Sequence, residues 1–138
     1  MKRSGHFAMA LLVSLILLSS ISEAAVDRDK LLKDPGVYAT FAVFQVDEDW
    51  WKLDKAARAS AVSEVKTVFQ KHGEAVLADT YLLRGLVEKA DVLVRLHSQE
   101  ILANQNFLVE LMGTTLGKHL KNTYTFNGLT KPVNYVPA

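Results

Sequence analysis

The run from Val37 to Val46 reads Val-Tyr-Ala-Thr-Phe-Ala-Val-Phe-Gln-Val and restricts the fold more than any other stretch of the chain. It is rich in β-branched and aromatic residues and apolar on both parities, so it reads as a central strand covered on both faces. A chain of 138 residues, 49% of them hydrophobic, is one ordinary domain, and two do not fit. The 16 Lys and Arg nearly balance the 15 Asp and Glu, and no basic block gives nucleic acid an electrostatic footprint. Without cysteine there are no disulfides, iron–sulfur clusters, thiolate zinc sites or thiol nucleophiles, and any chemistry falls to histidine, carboxylates and hydroxyls.

Lys2 and Arg3 precede an apolar run from Phe7 to Leu18 that is too short to span a bilayer as a mature helix. It reads as a signal peptide, with small residues at Ser22 and Ala24 placing cleavage after Ala24. The expected organisation is a signal peptide over residues 1–24 and one exported, periplasmic domain over residues 25–138, with no stable membrane insertion after cleavage.

Beyond a polar lead-in and the central strand, Asp54 offers an N-cap, and Ala57, Ala61, Val65, Val68 and Phe69 recur at helical spacing up to Lys71-His72-Gly73. Val76 to Leu83 and Asp91 to His97 are strand-like and should pair as a hairpin across a long loop. From Ser98 the helical period returns, with Ile101, Leu102, Gln105, Leu108, Val109 and Met112 along one stripe and Gly113 and Gly117 near the end. A last strand covers roughly Thr123 to Thr130. The order β-α-β-β-α-β predicts an α+β, ferredoxin-like split βαβ fold, a four-stranded antiparallel sheet with two helices on one face.

Helices on one face leave the other to water or a partner. On the third strand Val92, Val94 and Leu96 are the apolar set and should face the helices, which turns Leu93, Arg95 and His97 outward. On the second, Val76, Ala78, Thr80 and Leu82 oppose Leu77, Asp79, Tyr81 and Leu83. The outward face is thus mixed aromatic, aliphatic and charged, and is expected to be buried by another sheet, from a second copy or another chain, as in a dimeric α+β barrel.

Several segments, in order, carry a resemblance: Asp27-Arg28-Asp29-Lys30-Leu31-Leu32, Gly36-Val37-Tyr38, Phe41-Ala42-Val43-Phe44-Gln45, Asp49-Trp50-Trp51, Tyr81-Leu82-Leu83-Arg84-Gly85-Leu86, Gly113-Thr114-Thr115-Leu116-Gly117 and Gly128-Leu129-Thr130-Lys131. Together they are similar to the chlorite dismutase family. The resemblance implies haem b enzymes that convert chlorite to chloride and dioxygen, each subunit built from two ferredoxin-like halves with facing sheets. This chain resembles the first, non-haem half, so haem b belongs to the family and no cofactor is expected for this chain alone. Registering the two halves on their shared Trp-Trp signature places Val65 at the position of the haem-ligand histidine and Ala78 at that of the distal arginine. Valine has no lone pair for iron, and alanine cannot hold an oxychlorine anion. The neighbours Glu64, Lys66, Leu77 and Asp79 supply no usual axial ligand either.

The remaining candidates read as structural. His72 beside Gly73 and His119 beside Lys118 suit helix ends. His97, two residues from Arg95, reads as interfacial or solvated, with an anion site as the alternative. Trp50 and Trp51 should close the end of the core. Asp47, Glu48 and Asp49 read as a solvated turn, since no further liganding carboxylate follows at loop spacing. Ser60 and Ser63 have no local base. No catalytic, cofactor-binding or metal residue is assigned. The expected function is that of an incomplete or truncated chlorite dismutase that is not catalytic alone, meeting a haem-bearing second half or forming a homo-oligomer through the open sheet face. The alternative is a stand-alone exported dimerisation or small-ligand-binding module, and a further one is a haem pocket built by two copies with His97 or His119.

Overall fold

The computed structural model describes residues 26–132; the signal segment and its cleavage after Ala24 lie outside the described residues. In chain order the elements are α1 (Arg28–Lys33), β1 (Tyr38–Val46), α2 (Glu48–Lys52), α3 (Lys55–His72), β2 (Val76–Leu82), β3 (Val92–Ser98), α4 (Ile101–Gly113), a 3-10 turn at Gly117–His119 and β4 (Leu120–Leu129). The strand order is β2-β3-β1-β4, and all three pairings are antiparallel. The central position expected for the Val37–Val46 run, the hairpin of β2 and β3 and the split βαβ order are all present.

The expected barrel-type closure is corrected. Closing a barrel requires the first and last strands of the sheet to hydrogen-bond. Among the described residues β2 and β4 pair only with β3 and β1, respectively, so the sheet is open and has two edges.

Local sequence explains the long helices. Asp54 accepts the Ala57 N–H at 2.8 Å and caps α3, while Ala61, Val65 and Val68 bury one face and Gly73 follows the last turn. α4 ends where Thr114 Oγ1 donates to the Leu111 carbonyl at 2.7 Å and accepts the Gly117 N–H at 2.9 Å. Gly117 lies so close to this turn that a Cβ would stand 2.6 Å from Met112 Cα. Phe44, Leu96 and Phe107 are fully buried between the helices and the sheet, with Val65, Val68, Val94 and Leu111 around them and Trp50 at one end. Burial of each such large side chain contributes roughly 1.5–3 kcal/mol.

Two features depart from the sequence reading. α4 buries Asn104, Phe107 and Leu111, whereas Ile101, Leu102, Gln105 and Val109 of the apolar stripe face outward and Leu108 and Met112 are half-buried. The rotation of α4 is fixed by Asn104, whose Nδ2 donates to the Tyr38 carbonyl at 3.2 Å and to Thr40 Oγ1 at 3.1 Å. The polar lead-in contains a helix, α1, and it lies on the sheet face opposite α3 and α4. There Leu31 packs with Val37 and Leu77. Asp27 caps α1 through the Lys30 N–H at 3.1 Å, and Gly36, at φ +80°, turns the chain into β1.

Candidate functional site

The face not covered by α3 and α4 is organised in rows by strand register. Leu77, His97, Ala39 and Gly128 form the first row, Asp79, Arg95, Phe41 and Phe126 the second, and Tyr81, Leu93, Val43 and Tyr124 the third. The expected parity holds: Val92, Val94 and Leu96 lie in the core, and Leu93, Arg95 and His97 share the other face. α1 covers the first row at its Leu77 end. The third row is left uncovered, with Tyr81 41% and Tyr124 61% exposed.

The second row is split between ions and aromatics. Asp79, 9% exposed, accepts Arg28 Nη1 on Oδ1 at 2.9 Å, Arg28 Nη2 on Oδ2 at 3.0 Å and Arg95 Nη2 on Oδ2 at 2.6 Å. Burial pushes the Asp79 carboxyl up, but the hydrogen-bonded Arg28 and Arg95 guanidiniums together hold it below the usual carboxylate range. The same hydrogen bond raises Arg28. Arg95 also lies 5.3 Å from the Tyr81 ring centroid. Further along the row, Phe41 and Phe126 stack at 4.5 Å with ring planes 6° apart.

His97 is buried beside this triad, edge-on to Phe41 at 6.2 Å, and its Nδ1 has no hydrogen-bond partner. Burial, and then the Arg95 charge, lower its pKa. The anion site considered for Arg95 and His97 is occupied by the protein's own Asp79 carboxylate. Nothing local in the sequence links Arg28 to an aspartate 51 residues away.

The other candidates are dispersed. His72 Nε2 meets Glu110 Oε2 at 2.8 Å and so joins α3 to α4, rather than binding helix-end carbonyls. His119 Nδ1 meets Asp47 Oδ1 at 2.9 Å, and Asp47 also caps α2 by accepting the Trp50 N–H at 3.0 Å. The His119 hydrogen bond is the main reason why the Asp47 carboxyl lies below its ordinary range. Trp50 is buried at the end of the core, while Trp51 is partly exposed with the Arg84 guanidinium 4.6 Å from its ring centroid. Asp49 pairs with Lys52 at 2.6 Å, and Ser60 and Ser63 are exposed on α3. Among the described residues no group of three or more His, Asp or Glu is arranged to hold a metal ion, and no helix is long and apolar enough to cross a membrane.

The residues in the haem-ligand register do not fit haem. Val65 is 3% exposed inside the main core, and Ala78 packs against the same core. Neither side chain has a donor atom for iron, and the space between α3 and the sheet is filled by Val68, Leu96 and Phe107. Fold and site together define an open-faced, ferredoxin-like half-domain whose uncovered sheet face, rather than a helix-lined pocket, holds its distinctive residues.

The family model of chlorite dismutase matches residues 58–137. Chlorite dismutase of Ideonella dechloratans is 39% identical over 111 residues, covering 80% of this chain and 39% of that protein. The chlorite dismutase of Candidatus Nitrospira defluvii, solved in complex with imidazole, is 43% identical and superposes with a TM-score of 0.78, covering 80% of this chain and 46% of that one. A heme-binding protein from Thermus thermophilus, at 18% identity and a TM-score of 0.62, shares the fold over 70% of this chain and 41% of that one. The chain belongs to the chlorite dismutase family. It spans less than half the length of the chlorite dismutases it matches.

Proposed function

We propose that this chain is the non-haem half of a chlorite dismutase, exported to the periplasm, and that its open sheet face is covered by a second, haem-bearing half. In this reading the conversion of chlorite to chloride and dioxygen takes place in the second half, and the present chain supports it by packing. The observation that carries the reading is the pairing of a filled core at Val65 and Ala78 with an uncovered face that displays Tyr81, Tyr124 and Phe126. The row Tyr81, Leu93, Val43 and Tyr124 crosses the whole sheet, and uncovered apolar and aromatic surface of this kind marks a contact site. The half-length match to chlorite dismutases supports it independently.

The test is a haem titration of the purified protein, with the Soret band and the elution volume followed together. The expected result is a folded protein with no stoichiometric, histidine-type haem spectrum. A saturable one-to-one Soret band that His97→Phe or His119→Gln abolishes would overturn the reading and favour a two-copy haem pocket.

The self-contained core under α3 and α4 favours one second reading, a stand-alone module that dimerises through the same sheet face. Tyr124→Lys then converts a dimer to a monomer without any haem-bearing chain being present.

A further inference from the structure

The fold buries His97 to 7% exposure without giving its Nδ1 a hydrogen-bond partner. The ring lies in the first row, between Leu77 of β2 and Ala39 of β1, on the part of the sheet against which α1 packs. Charged groups face it from three elements: Arg95 from its own strand, Asp79 from β2 and Arg28 from α1. Tyr81 stands one row beyond Asp79, and β1 presents Ala39 and Phe41, neither of which ionises. The other charged side chains of α1, Asp27, Asp29, Lys30 and Lys33, are exposed and balance in sign. Beside the imidazole, then, two guanidiniums share a single carboxylate.

We propose that α1 is a latch on the sheet face, closed by the Arg28–Asp79 pair and released when the imidazole of His97 beneath it takes up a proton. An imidazolium would be a third cation around one carboxylate, in a place with no hydrogen-bond acceptor for Nδ1. Of the two guanidiniums, only that of Arg28 can leave, because it belongs to α1 and its side chain is 47% exposed, whereas Arg95 is fixed within β3. Lifting α1 removes Arg28, leaves Asp79 to Arg95 and His97, and admits water to the ring. Burial and the Arg95 charge already oppose protonation while α1 is closed, so proton uptake and latch opening are linked.

The attachments of α1 set the direction of opening. Its C-terminal end is tied to the end of β4, where Thr130 Oγ1 donates to the Asp34 carbonyl at 3.0 Å and the Thr130 carbonyl accepts the Gly36 N–H at 2.8 Å. Ahead of its N-terminal end stands one backbone hydrogen bond, from the Val26 N–H to the Gly73 carbonyl at 3.0 Å. The helix therefore pivots about Asp34–Gly36, and Leu31 leaves Leu77 as Arg28 leaves Asp79. Opening adds Leu77, His97 and Ala39 to the uncovered rows of the sheet. The latch is internal to the chain and does not depend on what covers those rows.

The experiment is amide hydrogen exchange of the purified protein at pH 7.0 and 5.5, corrected for the intrinsic dependence of exchange on pH. The probe is the Leu31 N–H, which donates to the Asp27 carbonyl at 2.9 Å within α1, compared with the amides of β1 and β3. The expected result is that Leu31 exchanges faster than the strand amides at both values. Its protection falls about three- to tenfold at the lower pH, the range that one linked proton allows as pH drops below about 6.5. His97→Phe and His97→Gln, neither of which titrates, abolish that fall; the two differ in shape, so one serves if the other does not fold. Arg28→Gln lowers the protection of Leu31 at pH 7.0. Leu31 protection that is the same at both values overturns the proposal, as does a fall that persists in the His97 variants. Exchange of Leu31 no faster than that of the strands would mean that α1 opens only with the whole domain, and unchanged protection in Arg28→Gln would mean that the ion pair does not hold the latch; either result also overturns it.

Discussion

Arg28 grips both carboxylate oxygens of Asp79, Nη1 to Oδ1 at 2.9 Å and Nη2 to Oδ2 at 3.0 Å, and thereby ties α1 to β2 across 51 residues. Arg95 approaches Oδ2 from the neighbouring strand at 2.6 Å. The two partners are unequal, because the Arg28 side chain is 47% exposed and that of Arg95 only 25%.

Asp79→Ala therefore costs more than Arg28→Ala. Removing the carboxylate leaves Arg95 half-buried without its counter-charge, an expected loss of about 2–3 kcal/mol. Removing Arg28 leaves Asp79 its second partner and costs about 0.5–1.5 kcal/mol. Arg28→Lys recovers little, since an ammonium cannot make the paired contact. Urea midpoints of the three variants check the order; an Arg28→Ala loss equal to that of Asp79→Ala would contradict it.

Stability falls on the acid side for two separable reasons. The carboxyls of Asp79, Asp47, Glu64 and Glu110 are all held below their ordinary values in the fold, by arginine, histidine, threonine or lysine partners. Their contribution is complete above the unfolded values of about 4 and disappears as pH drops below them. His97 is lowered by burial and by Arg95, with Arg28 adding to this and Asp79 opposing it. It takes up its proton at lower pH in the fold than in the unfolded chain, so stability begins to fall as pH drops through about 6.5. His97→Phe, which can keep the edge contact with Phe41, should flatten unfolding free energy against pH between pH 7 and 5 relative to the parent. It should leave the steeper loss below pH 4 in place. Parallel profiles over the upper range would rule out this role of His97.

Asn104 is fully buried and anchors α4 to β1, with Thr40 Oγ1 passing the hydrogen bond on to Asn127 Oδ1 at 2.7 Å. Asn104→Ala is expected to cost about 2–3 kcal/mol, through the emptied volume and the loss of both hydrogen bonds that Nδ2 donates, to the Tyr38 carbonyl and to Thr40 Oγ1. Asn127→Ala, on the exposed edge strand, should cost less than about 1 kcal/mol. Thermal or urea unfolding of the pair measures the contrast, and a cost at Asn127 that matches Asn104 would count against this account of what sets the rotation of α4.

Two glycines four residues apart predict opposite outcomes. At Gly117 a Cβ would collide with the Leu111 carbonyl oxygen and with the Met112 backbone. Gly117→Ala should then cost about 2–4 kcal/mol, because backbone rather than a side chain must move. At Gly113 a Cβ would meet nothing within 4 Å. Gly113→Ala should be neutral or stabilise by about 0.5 kcal/mol by restricting the unfolded chain. Melting temperatures of the two variants decide the matter.

The elements whose pattern is local were readable in advance. β1 followed from its two-sided apolar composition, α3 from Asp54, its four-residue spacing and Gly73, and the face of β3 from strict alternation. Val65 and Ala78, which have no donor for iron, lie in the core and against it, respectively. What was not readable depends on distant partners. The inward face of α4 is chosen by an asparagine that reads as polar surface until Tyr38 and Thr40 are placed beneath it. α1 has only six residues and acquires its hold from Leu77 and Asp79, neither of them near it in sequence. Barrel-type closure is expected from the mixed outward face of the sheet, whereas the pairing of this sheet leaves both edge strands without that partner.

The order β2-β3-β1-β4 also bears on how the molecule is made. β1 comes first among the strands, yet both of its neighbours are synthesised later, and the second of them, β4, is the last element described. Thr130 then closes the circuit, donating through Oγ1 to the Asp34 carbonyl at 3.0 Å and accepting the Val37 N–H at 2.8 Å, from residues more than 90 positions earlier. A nascent chain therefore carries this apolar central strand unpaired on one side until nearly all the described elements have emerged. Loop closure of that length precedes its reward in contacts, so folding is slow for a domain of this size, and the waiting β1 edge is the segment that a chaperone would have to shield.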